Sequence, residues 1–262
     1  SSFPNYDPSR YFLFDKILYK NTLVSDSYEP GSTFKVIVMA AALNEGAVEP
    51  ETRCDKCDGP RQISGYTVRT WNNKYFPQTT MTEVLEHSDN VGMVYVAEKL
   101  GLEKLLKYLG DFGIGSLSEI DLQEEESPQL RPKRDWHEID LATTAFGQGI
   151  AVTGIQMVRA VAAIANGGKL LEPHVVAEVI DPSGKVMEIK SKVIRDVIKP
   201  STAKVLTEMM VNAVDRGEAK WAKPAGYTVA GKTGTAQIPV AGHYDSDKTI
   251  ASSVGFAPVT HP

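Results

Sequence analysis

Three short strings in this 262-residue chain place a hydroxyl beside an amine or an amide: Ser32-Thr33-Phe34-Lys35, Ser88-Asp89-Asn90 and Lys232-Thr233-Gly234-Thr235. A serine hydroxyl is inert near neutral pH and needs an adjacent base before it attacks a carbonyl. Ser32 and Lys35 are three residues apart, so on a helix opening at Ser32 both side chains fall on one face, with Ser32 near the positive end of the helix dipole. Burial of Lys35 among Phe34, Val36 and nearby cations would depress its pKa and make the neutral amine available as general base. Ser88 is suited to relay a proton to a leaving amine, and the Asn90 amide to orient Lys35 and bond a substrate backbone. Lys232, with the hydroxyls of Thr233 and Thr235, offers charge and hydrogen bonds to a terminal carboxylate. Gly234, expected to end its strand, lets an extended substrate approach closely and add to that strand. The backbone N–H groups of Ser32 and Thr235 would form an oxyanion hole. The chemistry these groups suit is acyl transfer through a serine ester.

Each string alone also has a plain structural reading: a helix N-cap at Ser32, a polar loop at Ser88–Asn90, an exposed strand at Lys232–Thr235. An S-x-x-K string arises about once by chance in a chain of this size. Context favours the functional reading. Pro30-Gly31 precedes the nucleophile, helices flank the second string, and a strand runs into the third.

The elements that must position these groups are visible in the hydrophobic pattern. Ser1 to Tyr11, rich in proline and aromatics, reads as an irregular segment. Val36 to Leu43 is apolar all round and stops at Asn44-Glu45-Gly46, which predicts a helix buried on every side. Thr80-Met81-Thr82-Glu83 is a capping box opening a second helix that ends at Ser88, leaving that motif in a turn. Val91–Leu100 and Leu102–Leu109 read as helices closed by Gly101 and Gly110, and Gln123–Pro132 as a surface loop. Ile139–Phe146 and Thr153–Ala165 read as further helices. Beyond Gly167-Gly168, Val175–Ile180 and Val186–Ile189 alternate around Asp181-Pro182-Ser183-Gly184, which predicts a hairpin. A helix follows from Ser201 to about Val214, then strands at Tyr227–Ala230 and Ile250–Phe256.

Composition excludes several classes. With 42% hydrophobic and 23% charged residues the chain can bury a large core. A net charge of -5 and dispersed basic residues argue against a nucleic-acid partner. Val36–Leu43, the longest apolar run, is too short to span a bilayer, and no secretory signal opens the chain. The two cysteines, Cys54 and Cys57, cannot build a four-ligand zinc site alone. A tight disulfide, half of a metal site, or two free thiols remain open, with a local structural role favoured. The five histidines, His87, His137, His174, His243 and His261, lack metal-ligand spacing and read as structural or surface residues. No metal or cofactor is expected, and His87 beside the second motif is the one to inspect.

In order and type the three motifs resemble those of penicillin-recognising serine acyltransferases. Asp140-Leu141-Ala142-Thr143-Thr144-Ala145-Phe146-Gly147-Gln148-Gly149 with Thr153, Ala165-Asn166-Gly167-Gly168, and Ala230-Gly231-Lys232-Thr233-Gly234-Thr235-Ala236-Gln237 extend the likeness. Nearly the whole chain resembles the transpeptidase domain of a class B penicillin-binding protein. The resemblance implies an α/β (α+β) transpeptidase-like fold: an antiparallel sheet with flanking helices, formed by 1–31 and 169–262, against a mostly helical lobe from about 32 to 168. It implies that Ser32 attacks the D-Ala–D-Ala bond of a peptidoglycan stem peptide, releases D-Ala and passes the acyl group to an amine on a neighbouring stem, and that β-lactams acylate the same serine. It further implies action at the extracytoplasmic face of the bacterial plasma membrane, a membrane-anchored parent, and a glycan polymerase and other cell-wall assembly proteins as partners.

Two departures stand out. Asp215-Arg216-Gly217-Glu218-Ala219 occupies the place of a glycine-threonine-glycine turn frequent in the family. The chain also stops after Gly255-Phe256-Ala257-Pro258, short of the strand and helix that usually follow, so an incomplete sheet with exposed edges, low stability and association are expected. A serine β-lactamase is the nearest rival, but no Glu-x-x-Leu-Asn string supplies a deacylation base between Ser88 and Lys232; Glu126-Ser127-Pro128-Gln129-Leu130 comes nearest. A D,D-carboxypeptidase differs only in using water as acceptor. From another class, the intact Ser32, Lys35, Ser88 and Lys232 speak against an inert cell-wall scaffold, while a non-enzymatic β-lactam receptor that binds without turning over stays open.

Overall fold

The computed structural model describes residues 3–240 and 243–262; the ends of the first-segment reading, residues 1–2, lie outside it. Eight α-helices and ten strands alternate among the described residues. The first half contains α1 (Thr22–Ser25), β1 (Ser27–Tyr28), α2 (Lys35–Asn44), β2 (Arg61–Ile63), β3 (Tyr66–Val68), α3 (Met81–Glu86), α4 (Asn90–Leu100) and α5 (Leu102–Asp111). The second contains α6 (Glu138–Thr144), β4 (Val152–Thr153), α7 (Gly154–Ala165), β5 (Lys169–Glu172), β6 (Glu178–Ile180), β7 (Val186–Glu188), β8 (Lys192–Asp196), α8 (Pro200–Asp215), β9 (Ala230–Val240) and β10 (His243–Phe256). The strands pair two by two, all antiparallel: β1 with β4, β2 with β3, β5 with β8, β6 with β7, β9 with β10.

Helix α2 is the axis of the core. Val36 to Ala42 are at most 1% exposed, as an all-apolar helix must be to satisfy its surface. It packs on α4, α5, α7 and α8. The β9–β10 ribbon is flanked by α8 on the β9 side and α7 on the β10 side, and β9 also lies on the 3-10 turn Gly31–Phe34 that precedes α2.

The predicted capping box forms: Thr80 N–H donates to Glu83 Oε2 at 2.7 Å and Glu83 N–H to Thr80 Oγ1 at 3.3 Å. The Asp181 hairpin forms with narrower strands than expected. Several boundaries move. Helicity begins at Gly31, one residue before Ser32, as a 3-10 turn, with the α-helix starting at Lys35. Asn90 is the first residue of α4 rather than part of the turn, and Gly110 lies inside α5. The strand placed at Tyr227–Ala230 starts at Ala230 and continues to Val240, so Lys232–Thr235 lie within it and Gly234 does not end it. The segment before α1 holds two 3-10 turns, Pro8–Leu13 and Lys16–Tyr19. Cys54 and Cys57 form a disulfide, both fully buried in the main core, which closes the metal and free-thiol alternatives.

Candidate active site

The serine turn is assembled by glycines that permit backbone-to-backbone contact. Gly31, at φ +56°, donates its N–H to Gly147 O at 2.9 Å. A Cβ at Gly147 would overlap Gly31 O, so the Phe146-Gly147-Gln148 loop can lie against the serine turn only without a side chain there. Glu29 fixes the same loop, accepting from Gly149 N–H at 3.1 Å and from the Tyr244 hydroxyl. A Cβ at Gly234 would come within 3.0 Å of Thr33 N and 2.9 Å of Ser252 Oγ. That space is filled by the protein itself. Gly234 therefore seats β9 against the nucleophile's turn, a different use from the close substrate approach expected.

Lys35 is fully buried, and its Nζ donates to Ser88 O at 2.6 Å, Asn90 Oδ1 at 2.8 Å and Ser88 Oγ at 3.3 Å. Burial, then the charge of Lys232, holds its pKa well below the ordinary lysine value, with Asp89 pulling the other way. Among the described residues no hydrogen bond joins Lys35 to Ser32, whose half-buried side chain opens into the cleft. Base–nucleophile bonds often form only once substrate is present. Lys232, 4% exposed, donates to Ser88 Oγ at 2.9 Å and Thr233 O at 3.0 Å. Its pKa falls to about 8, mainly from burial, against the field of Glu218. Ser88 Oγ thus sits between two buried amines, a position suited to relaying a proton.

The turn that presents Ser88 is tight. His87 to Asp89 separate α3 from α4, and Ser88 takes φ +53°, a region a non-glycine residue adopts only under constraint. The constraint is Asp89, which caps α4 by accepting from Val91 N–H at 2.8 Å and Gly92 N–H at 3.1 Å. Asp89 is 2% exposed, and burial raises its pKa despite those bonds and Lys35. Sequence reasoning gave this residue no part; its signal was an N-cap type directly before a helix. Asn90 Nδ2 donates to Arg69 O at 3.0 Å, which fixes the amide with Oδ1 toward Lys35. His87 stacks on Phe76, ring centroids 4.2 Å apart.

These groups converge on one cleft of about 650 Å³, lined by Ser32, Ser88, Asn90, Thr233, Gly234 and Thr235 together with Arg69, Trp71, Phe146, Gln148, Glu218, Trp221 and Gln237. Lys35 and Lys232 lie behind the lining. Every predicted site residue is in or directly behind this cleft; Trp71, Gln148, Glu218 and Trp221 were not foreseen. Glu126 lies outside the lining, its N–H bonded to Val24 O at 2.9 Å. A larger cavity, about 810 Å³, lies between the N-terminal segment and residues 122–124, away from the motifs. Among the described residues no cluster of three or more His, Cys, Asp or Glu could hold a metal.

A serine, two buried amines and a strand edge in one cleft match a known domain. The family model of the penicillin binding protein transpeptidase domain matches residues 1–262. The chain belongs to that family. Among relatives of this transpeptidase domain, stage V sporulation protein D of Bacillus subtilis is 41% identical over 265 residues, covering 100% of this chain and 41% of that protein. Penicillin-binding protein PbpB of Mycolicibacterium smegmatis is 34% identical over 252 residues, covering 92% and 39%. The peptidoglycan D,D-transpeptidase FtsI homolog of Mesostigma viride is 31% identical over 285 residues, covering 99% and 47%. Among solved structures, penicillin binding protein 3 of Mycobacterium tuberculosis complexed with ampicillin has a TM-score of 0.90 at 29% identity, covering 98% of this chain and 59% of that one. The transpeptidase domain of Burkholderia pseudomallei penicillin-binding protein 3 has a TM-score of 0.81 at 28% identity, covering 93% and 71%. The resemblance to class B penicillin-binding proteins and the transpeptidase-like fold are borne out. The transpeptidase chain spans less than half the length of these curated relatives.

Proposed function

We propose that residues 1–262 act as one peptidoglycan D,D-transpeptidase domain that works through an ester on Ser32 and is acylated there by β-lactams. The observation that carries the reading is Ser88 Oγ held between Lys35 and Lys232 in the cleft that Ser32 lines. Neutral Lys35 takes the Ser32 proton as Oγ attacks the penultimate D-Ala carbonyl. The backbone N–H groups of Ser32 and Thr235 receive the oxyanion; turn and strand lie in contact there, a Cβ at Gly31 being 3.1 Å from Thr235 O. The proton leaves Lys35 through Ser88 Oγ to the departing D-Ala amine, while Asn90 keeps the Lys35 head in place. Lys232, with Thr233 and Thr235 along β9, holds the donor's terminal carboxylate, and Gly234 sets how closely the strand approaches Ser32. In the second half an acceptor amine attacks the ester and its proton returns to Ser32 Oγ.

No cofactor or metal enters this scheme, and no nucleic acid is a partner. The substrates are stem peptides, one ending in D-Ala–D-Ala and one bearing an amine. The site of action is the extracytoplasmic face of the bacterial plasma membrane, beside a glycan polymerase and other wall-assembly proteins, in a membrane-anchored parent. Among the described residues no helix is long and apolar enough to cross a membrane. The test is incubation with a pentapeptide donor and an amine-bearing acceptor, followed by mass analysis. A cross-linked peptide with stoichiometric D-Ala release supports the proposal. Tetrapeptide hydrolysis product and D-Ala alone would point to a carboxypeptidase, and fast nitrocefin turnover to a β-lactamase.

A further inference from the structure

Arg69 and Glu218 are the charged residues on the lining of the cleft. Arg69 belongs to the Asn90 side, where its carbonyl takes the Asn90 amide at 3.0 Å. Glu218 belongs to the Lys232 side, close enough for its charge to act on that amine. Its place is fixed by backbone. Gly217 is buried where a Cβ would overlap Glu86 O, and Glu218 N–H donates to the same carbonyl at 3.3 Å. The loop after α8 is thereby pinned to the end of α3, two residues before Ser88. Yet among the described residues no side-chain hydrogen bond or ion pair engages the Glu218 carboxylate, and it is exposed. Trp221, 81% exposed, lines the same cleft three residues later.

An exposed anion, its backbone anchored, on the lining of a cleft that has two amines behind it is poorly placed for a donor that arrives carboxylate first, and well placed for a cation. We propose that Glu218, with the indole of Trp221, recruits the acyl acceptor by holding the ammonium of an incoming primary amine while Ser32 carries the acyl group. The inference rests on the transpeptidase reading and assigns an acceptor subsite within it. The ammonium gives one proton to solvent before attack. The C–N bond then forms as the bond from the acyl carbon to Ser32 Oγ breaks, and the second amine proton passes through Lys35 to Ser32 Oγ. Glu218 is thus a specificity-determining residue, biasing the acyl-enzyme toward amines over water.

The experiment uses an N-acyl-D-alanyl thioester as donor and measures the amide-to-acid product ratio against glycinamide, which is cationic, and against hydroxylamine, which is neutral near pH 7. Exposed charge pairs and cation–π contacts are individually modest, so Glu218→Gln is expected to raise the half-saturating glycinamide concentration about three- to tenfold. Glu218→Lys should raise it further. Added salt should weaken glycinamide transfer in the parent chain and have little effect in the variant. Hydroxylamine transfer should not change. An unaltered glycinamide dependence in Glu218→Gln, or an equal loss with hydroxylamine, overturns the proposal. Benzylpenicillin acylation is measured alongside. Acylation of the parent chain but not of Glu218→Gln would assign Glu218 to the donor step through Lys232 and overturn the acceptor role. Failure of the parent chain to acylate would instead sink the transpeptidase reading itself.

Discussion

Lys232→Met is expected to stabilise the folded protein below pH 8 while abolishing its reactivity. The Lys232 amine is 4% exposed and its pKa falls from 10.5 to about 8, burial being the main cause. At 1.36 kcal/mol per pKa unit, keeping that ammonium folded at pH 7 costs ~3 kcal/mol. Methionine fills similar space without charge and removes the cost. It also removes a donor from Ser88 Oγ and from Thr233 O, worth about 1–3 kcal/mol together, although Lys35 still reaches Ser88 Oγ at 3.3 Å. The net expectation is a gain of ~1 kcal/mol at pH 7. Between pH 8 and 10.5 the unfolded chain binds more protons at this position than the folded one, so parent stability rises with pH through that window. The variant lacks that rise, and its advantage should shrink above pH 8 and reverse toward 10.5. Urea unfolding at pH 7 and about pH 9.5 reads the difference, and intact mass after benzylpenicillin reads the loss of acylation, expected at about 100-fold or more. A variant several kcal/mol less stable at pH 7, with the same deficit at the higher pH, would refute this reasoning.

The rate of benzylpenicillin acylation should fall above about pH 8 as Lys232 loses its proton, and fall on the acid side as Lys35, held well below its ordinary pKa, gains one; a flat stopped-flow profile across pH 8 would contradict the role of Lys232. Asn90→Ala removes the 2.8 Å acceptor that holds Lys35 and should slow acylation about 10- to 100-fold while the adduct still maps to Ser32. Gly147→Ala combines φ +79° with an overlap on Gly31 O and should cost about 3 kcal/mol, read as a lower thermal midpoint together with slower penicillin binding. An unchanged midpoint would mean that the loop and the serine turn are not tightly apposed.

Local chemistry made much of the frame legible. Thr80 and Glu83 announce their capping box, Val36 to Ala42 announce a helix buried on all sides, and the three motifs announce the residues that meet in the cleft. What could not be read depends on contacts between distant backbones. Nothing local to Gly147 says that Gly31 O will lie against it, and nothing local to Gly234 says that Thr33 will fill its missing side chain. The extent of β9 was obscured for a related reason. Gly231, Gly234 and Pro239 are poor strand formers, and the strand is held by pairing with β10 and packing on α8 rather than by its own propensity. Asp89 and Glu218 stand within the strings quoted above but are given no role there, because a polar residue in a turn looks solvated until its burial or its cleft position is known. Cys-x-x-Cys spacing suits several chemistries, and only the burial and pairing of Cys54 with Cys57 select one.

The most direct test of the central claim is intact-protein mass spectrometry after benzylpenicillin, comparing the parent chain with Ser32→Ala. One penicillin mass retained on the parent chain, mapped to Ser32 and lost in the variant, is the predicted result. A folded parent chain that takes no adduct, or an adduct that survives Ser32→Ala, would contradict the assignment of Ser32 as the nucleophile.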